Sequence, residues 1–323
     1  MRASDIALAA TLILFLGGCH RTTAAVNDGA EGYLPNLIFV QNSAQNPLHR
    51  ESIWEDFDGN EALAEANSIA DYGPRPSGSE ANIQLRTHLI ERLKRFGWAA
   101  TEQRFTEHSP EGKAIQFCNL VARFSGSQLP GKRVLIGAHF DTIPTREFRA
   151  VGATDGAANT AILVELARVL SSETILAGQV ELLFLDGDAP FKELNLSDGL
   201  FGSRFYVQML RIRDHPEDVR AAVLLRNTGT GALNYAPNGD QTLIDRLKAA
   251  SLKTGFILEP ANRLLLADQM PFLQAGIPSV ALLEANSIVL HTADDTADRL
   301  SADALAKTGK ALLYFIATTA TTQ

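Results

Sequence analysis

The sequence predicts an α/β protein in three layers, α/β/α, with a mostly parallel central sheet flanked by helices. Three observations carry this. Short apolar runs at 134–138, 180–185, 221–225 and 279–283 lack polar alternation, as strands buried on both faces do. Stretches with helical spacing of apolar residues separate them. Each run also stops at polar residues: His139 and Asp141, then Asp186 and Asp188, then Arg226, then Glu284 and His291. In open sheets of this kind chemistry sits beyond the carboxyl ends of the strands.

Taken in order, residues 6–16 read IALAATLILFL, after Arg2 and before Leu16-Gly17-Gly18-Cys19. That run falls short of the about 20 residues a bilayer span needs and suits a secretory signal. A Cys directly after two glycines resembles the bacterial lipoprotein box, so 1–18 reads as a signal peptide and Cys19 as the lipidated first residue of the mature chain. An ordinary signal peptide or a plain anchor are the alternatives. The expected location is the cell envelope, exported and held to a membrane by lipid, on the periplasmic side. Residues 19–55, rich in Ala, Asn, Gln and Thr, read as tether and lead-in, and 56–323 as one domain.

Within that domain 58–71 reads as helix. Ser79 suits an N-cap, with Leu85, Leu89, Leu93 and Phe96 at helical spacing and Gly97 closing the helix. Strands are expected at 98–105 and 115–124, then a turn at 125–132 and the strand at 134–138. A long helix is expected at 156–170, further helices at 199–211 and 243–253, and a closing helix at 302–318.

Of 323 residues, 46% are apolar and 20% charged, which excludes a disordered chain. Lys plus Arg number 29 against 37 Asp plus Glu, a net charge of -8, so nucleic acid is not expected as a partner. Two cysteines exclude a disulfide scaffold and a Cys-based zinc site. No G-x-S-x-G elbow occurs, which argues against a serine hydrolase.

Four clusters carry candidate chemistry. His139-Phe140-Asp141 pairs an imidazole with an orienting acid, or is a plain strand-end loop. Asp155, in VGATDGAAN, lies between small residues at the mouth of a helix, where it either caps the helix or lets backbone pass close to something. Asp186 and Asp188 follow a buried strand, and an acid there can serve as general acid or base. His291-Thr292-Ala293-Asp294-Asp295-Thr296 combines a ligand-type His with acids that could equally cap the last helix.

Together, VGATDGAANTAILVELARVL, LFLDGDAPF, SDGLFGSRFY, VLLRNTG, DQMPFLQAGIPSVALL and HTADDTADRL resemble, in that order, the zinc-dependent bacterial aminopeptidase and glutaminyl-peptide cyclotransferase family. The likeness is closest to the cyclotransferase branch and runs from about Tyr72 to Phe315. It implies a zinc-exopeptidase-like fold. Asp155 and His291 would be zinc ligands, His139 a ligand of a second metal, and Asp141 a supporting acid. Asp268 would hold a hydrogen-bond network, and the Asp155–Gly156 peptide bond would be cis. The implied partners are peptide or protein N-termini.

Two positions depart from the family. Where it carries Glu-Glu, a proton shuttle and a zinc ligand, this chain has Asp188 and Ala189. Where the following strand ends in Asp, this chain has Arg226. Each metal position keeps two protein ligands, while catalytic zinc usually has three plus water. Zinc is therefore expected to be weakly held or absent, unless Asp188 swings in as a substitute ligand. The Arg226 guanidinium is expected to pair with Asp155 and take up part of the metal's space. Two functions follow: a glutaminyl cyclase-like or aminopeptidase-like enzyme with Asp188 as shuttle, impaired at its metal site, or a catalytically inactive peptide- or partner-binding descendant of the fold.

Overall fold

The computed structural model describes residues 50–126, 131–213 and 216–320. The signal segment, Cys19, most of the 19–55 stretch and part of the 125–132 turn lie outside them.

A 3-10 turn, Glu51–Asp56, leads into helix α1, Gly59–Ala70, capped by the Asp58 side chain at the Asn60 amide. Ile53, within the stretch read as lead-in, is wholly buried, and Phe57 is buried beside it. Helix α2, Glu80–Arg95, starts at Ser79, whose hydroxyl accepts from the Asn82 amide as the sequence predicts. Strands β1, Trp98–His108, and β2, Ala114–Phe124, form an antiparallel hairpin. Then come β3, Arg133–His139; α3, Asn159–Leu170; α4, Thr174–Ala177; and β4, Val180–Leu185. The second half adds α5, Phe201–Arg213; β5, Val219–Arg226; β6, Asn234–Tyr235; α6, Gln241–Lys253; β7, Glu259–Pro260; α7, Gln269–Gln274; β8, Ser279–Leu283; and α8, Ala302–Ala320.

One eight-stranded sheet runs β1-β2-β4-β3-β5-β8-β6-β7. Its centre, β4-β3-β5-β8, is parallel, and antiparallel pairings join β1, β2 and β6 to it. The parallel centre is what the unalternating runs indicated, because helices cover both of its faces. On one face Val134, Ile136, Leu182, Val223 and Val280 pack with residues of α1, α3, α6 and α8. Their odd-numbered and even-numbered neighbours Leu135, Leu183 and Leu224 point to the other face, against Tyr206 and Leu210 of α5 and Phe272 of α7. Burying each such leucine is worth about 1.5–3 kcal/mol.

The helix expected from 156 begins only at Asn159. Before it lies a tight turn over residues 153–158, with Asp155 at φ -92°, ψ 75° and Gly156 at φ 125°. Only glycine adopts that last conformation readily, and any Cβ there would also lie 2.8 Å from the Arg75 guanidinium. The cis bond expected at Asp155–Gly156 is corrected as well: no peptide bond among the described residues is cis.

Candidate active site

Because β3, β4 and β5 run parallel, their carboxyl ends deliver His139, Asp186 to Asp188, and Arg226 to one edge of the sheet. The turn 153–158 brings Asp155 beside them, and the segment after β8 brings His291. Asp155 is the hub. Its Oδ1 lies 3.1 Å from Nε2 of His139, and its Oδ2 lies 3.1 Å from Nε2 of His291. His139, Asp141, Asp155, Asp188 and Asp268 are all buried, whereas the His291 side chain is 41% exposed. His291 has φ 59°, a left-handed conformation unusual for a residue with a Cβ.

Burial would raise the Asp155 carboxyl, but the His139 charge and hydrogen bond, the His291 hydrogen bond and the Arg226 charge hold it well below the usual range. Burial would lower His139, yet the charges of Asp188 and Asp155, with the Asp141 and Asp155 side chains, carry it well above the ordinary imidazole value. Asp141 Oδ1 stands 3.5 Å from His139 Nδ1, and the same oxygen accepts from the Asp188 amide at 3.4 Å. Burial first, and then Asp188, push Asp268 up to about 6.

Arg226 corrects one expectation. Its Nη1 donates to Asp188 Oδ1 at 2.9 Å, so the ion pair is with Asp188 and not with Asp155. Gly187, at φ 90°, turns the chain after β4 and brings Asp188 back over the end of β3, within reach of β5. The guanidinium still acts on Asp155 and Asp268 through space.

Three residues that sequence reasoning missed, or misjudged, hold these groups in place. Arg75 is wholly buried and donates from Nε to the Phe140 carbonyl at 2.7 Å and from Nη2 to that of Gly152 at 2.8 Å. Its Nη1 donates to Val151 and Gly73. Asp295 does not cap α8, which starts seven residues later; its carboxylate accepts from the amides of Thr154 at 2.7 Å and Asp155 at 3.2 Å. Asp186 accepts from Ser77 Oγ, Asn82 Nδ2 and the Cys118 amide, and burial together with Asp141 raises it to about 7. It anchors the turn that presents Asp188. An arginine between two prolines, Pro74-Arg75-Pro76, was the available signal for the first of these.

Bonds of about 2.0–2.1 Å from a tetrahedral zinc ion put neighbouring ligand atoms about 3.3 Å apart. The two 3.1 Å gaps at Asp155 match that spacing, so each half of the site keeps two donors. Neither half has a third. Position 189 is alanine, and 226 is a cation. Among the described residues no group of three His, Cys, Asp or Glu side chains could hold a metal ion. The residues present therefore do not fit a catalytic zinc with three protein ligands. The space beside Asp155 and His291 is only about 10 Å³, bounded by Thr142, Phe148, Thr292 and Asp295. That is room for about one water.

A parallel-centred α/β sheet with an Asp bridging two histidines at its carboxyl edge defines the zinc-exopeptidase class of architecture. Residues 119–316 match peptidase family M28, and the chain belongs to that family. Among curated relatives, the glutaminyl-peptide cyclotransferase-like protein of Bos taurus is 27% identical over 75% of this chain and 71% of its own length. The glutaminyl-peptide cyclotransferase of Boiga irregularis is 26% identical over 75% and 76%. Two solved structures share the fold. A glutaminyl cyclase from an Acidobacteriales bacterium superposes with a TM-score of 0.73 at 24% identity, covering 85% of this chain and 96% of that one. A Zn-dependent exopeptidase from Parabacteroides distasonis gives 0.70 at 19% identity, covering 81% and 98%. The family and this last neighbour suggest zinc, and the donor set described above does not match that suggestion.

Proposed function

We propose that this chain is a catalytically silent M28 protein of the glutaminyl cyclase type, kept as a binding protein for peptide or protein amino termini. One observation carries the reading: the only carboxylate at the expected shuttle position, Asp188, is engaged by Arg226 at 2.9 Å, and its neighbour is Ala189. A proton shuttle must present a free carboxylate oxygen to the substrate, and the Arg226 guanidinium donates to that carboxylate at 2.9 Å. Asp141, Asp155, Asp188 and Asp268 are set against Arg226, His139 and Arg75, so the four acids still outnumber the nearest cations, which favours an ammonium at the rim. A cavity of about 420 Å³ lies beyond the carboxyl ends of β5 and β8, lined by residues 230–232, Asn234, Glu284, 286–289 and Arg299, and we assign it to the residues that follow.

The test is turnover and binding on the same protein. With zinc in excess, a Gln-initiated peptide should release ammonia no faster than buffer alone. The same peptide should bind, and N-acetylation should weaken it at least about tenfold, the loss of one charge-assisted contact. Sustained ammonia release would sink the reading and favour a working zinc enzyme instead. One observation supports that second reading: His139, Asp155 and His291 remain together at metal-like spacing.

We also propose export and lipid attachment at Cys19, supported by the apolar run and the Leu-Gly-Gly-Cys sequence. Among the described residues no helix is long and apolar enough to cross a membrane. Radiolabelled palmitate should enter the full chain in a bacterial host and be lost in Cys19→Ser; equal labelling of both would refute the attachment.

A further inference from the structure

We infer that Arg226 is the site's built-in cation: its guanidinium and a divalent metal are alternative occupants of the carboxylate cluster Asp155, Asp188 and Asp268. The inference rests on the reading that the natural chain lacks a catalytic zinc set, and extends it to the cause.

The geometry is asymmetric in a useful way. Asp155 offers one oxygen to His139 and the other to His291, both at 3.1 Å, so two half-sites share one carboxylate. Arg226 donates to Asp188 at 2.9 Å, its side chain is 13% exposed, and its charge also acts on Asp155 and Asp268. Three buried carboxyls gathered at a strand edge repel one another unless a cation stands among them. His139 faces Asp155 at 3.1 Å, Arg226 is the guanidinium ion-paired with Asp188, and Arg75 lies behind Asp155, committed to the carbonyls of Gly73, Phe140, Val151 and Gly152. A dication arriving beside Asp155 would meet the charge of the Arg226 guanidinium, which already acts on Asp155, with little water to screen it. Replacing Arg226 by an acid would therefore do two things together. It would remove the resident charge and add a third donor to the Asp155–His139 half. Replacing Ala189 by Glu would add a third donor to the Asp155–His291 half while leaving the guanidinium in place.

The experiment measures zinc per chain after equilibrium dialysis, and Tm in EDTA and in zinc, for the full chain and four variants. The natural chain should hold well under one zinc and melt at the same temperature in both buffers. Arg226→Asp should melt lower in EDTA, bind about one zinc, and gain about 5 °C or more when zinc stands at 100 times its Kd. Ala189→Glu alone should bind at least tenfold more weakly than Ala189→Glu combined with Arg226→Asp. Arg226→Gln, which keeps length and loses charge, covers the case in which the acid fails to fold. It should melt lower in EDTA than the natural chain and recover part of that loss in zinc. Stoichiometric zinc in the natural chain, or no gain of zinc in Arg226→Asp and in the double variant when both melt cooperatively, would overturn the inference. So would an Arg226→Gln protein indifferent to zinc. Ammonia release by a zinc-free natural chain would instead defeat the functional reading and leave this one standing.

Discussion

Arg75→Met is expected to destabilise the protein by about 3–5 kcal/mol, the range for removing one partner from a buried charged network. The residue is fully buried, and its guanidinium satisfies the carbonyls of Phe140, Val151, Gly152 and Gly73. The carbonyls of Phe140, Val151 and Gly152 belong to the segments that carry His139 and Asp155. A methionine fills much of the volume but leaves the acceptors without donors, at about 1–3 kcal/mol for each that water cannot reach. It also removes the positive charge behind Asp141, Asp155 and Asp295. Opposing this is the relief of desolvating a cation, a cost large enough to lower the Arg75 pKa to about 10. Burial still leaves it charged at neutral pH, with the charges of Asp141, Asp155 and Asp295 offsetting part of that cost, so removing it leaves the carbonyls without donors while the net relief is only part of the cation's desolvation. Urea denaturation of the natural chain, Arg75→Lys and Arg75→Met should rank them in that order. A loss under about 1 kcal/mol for Arg75→Met would mean that the loops hold themselves.

Phe57→Ala should cost about 3–5 kcal/mol, as large-to-small changes of a buried aromatic do. The Phe57 side chain is buried against α8, where Gly309 makes room for it: a Cβ at 309 would lie 2.1 Å from two ring atoms. The surrounding helices α1, α3 and α8 are packed to each other and can collapse little into the gap, so the transfer loss and the cavity loss add. The exposed neighbour change Asp56→Ala should be near neutral by comparison. Equal melting of Phe57→Ala and the natural chain would show that the segment before α1 lies outside the cooperative fold.

Much of the architecture could be read from the residues. Strands β4 and β8 fall on the expected runs to the residue, since a short unalternating apolar run has one economical home, the centre of a covered sheet. The two-residue strands β6 and β7 could not be read, because two residues carry no period. That the candidate residues gather at one place was legible, because polar residues after parallel strands must share an edge. His139, Asp141, Asp155, Asp188, Arg226 and His291 do so, with Asp268 beside them at the start of α7. Pairing within that edge was not legible. Charge balance correctly required a cation near the acids, but whether Arg226 reached Asp155 or Asp188 depended on the turn at Gly187. The roles of Arg75 and Asp295 were hidden for a similar reason. Both act on backbone groups distant in sequence, and neither leaves a spacing pattern.

The most direct test of the central claim is the anomalous scattering of zinc-soaked crystals at the zinc edge. The account predicts no peak among His139, Asp155 and His291, with the Arg226 guanidinium still on Asp188. A fully occupied tetrahedral ion bonded to Asp155 and either histidine, with Arg226 displaced, would contradict it.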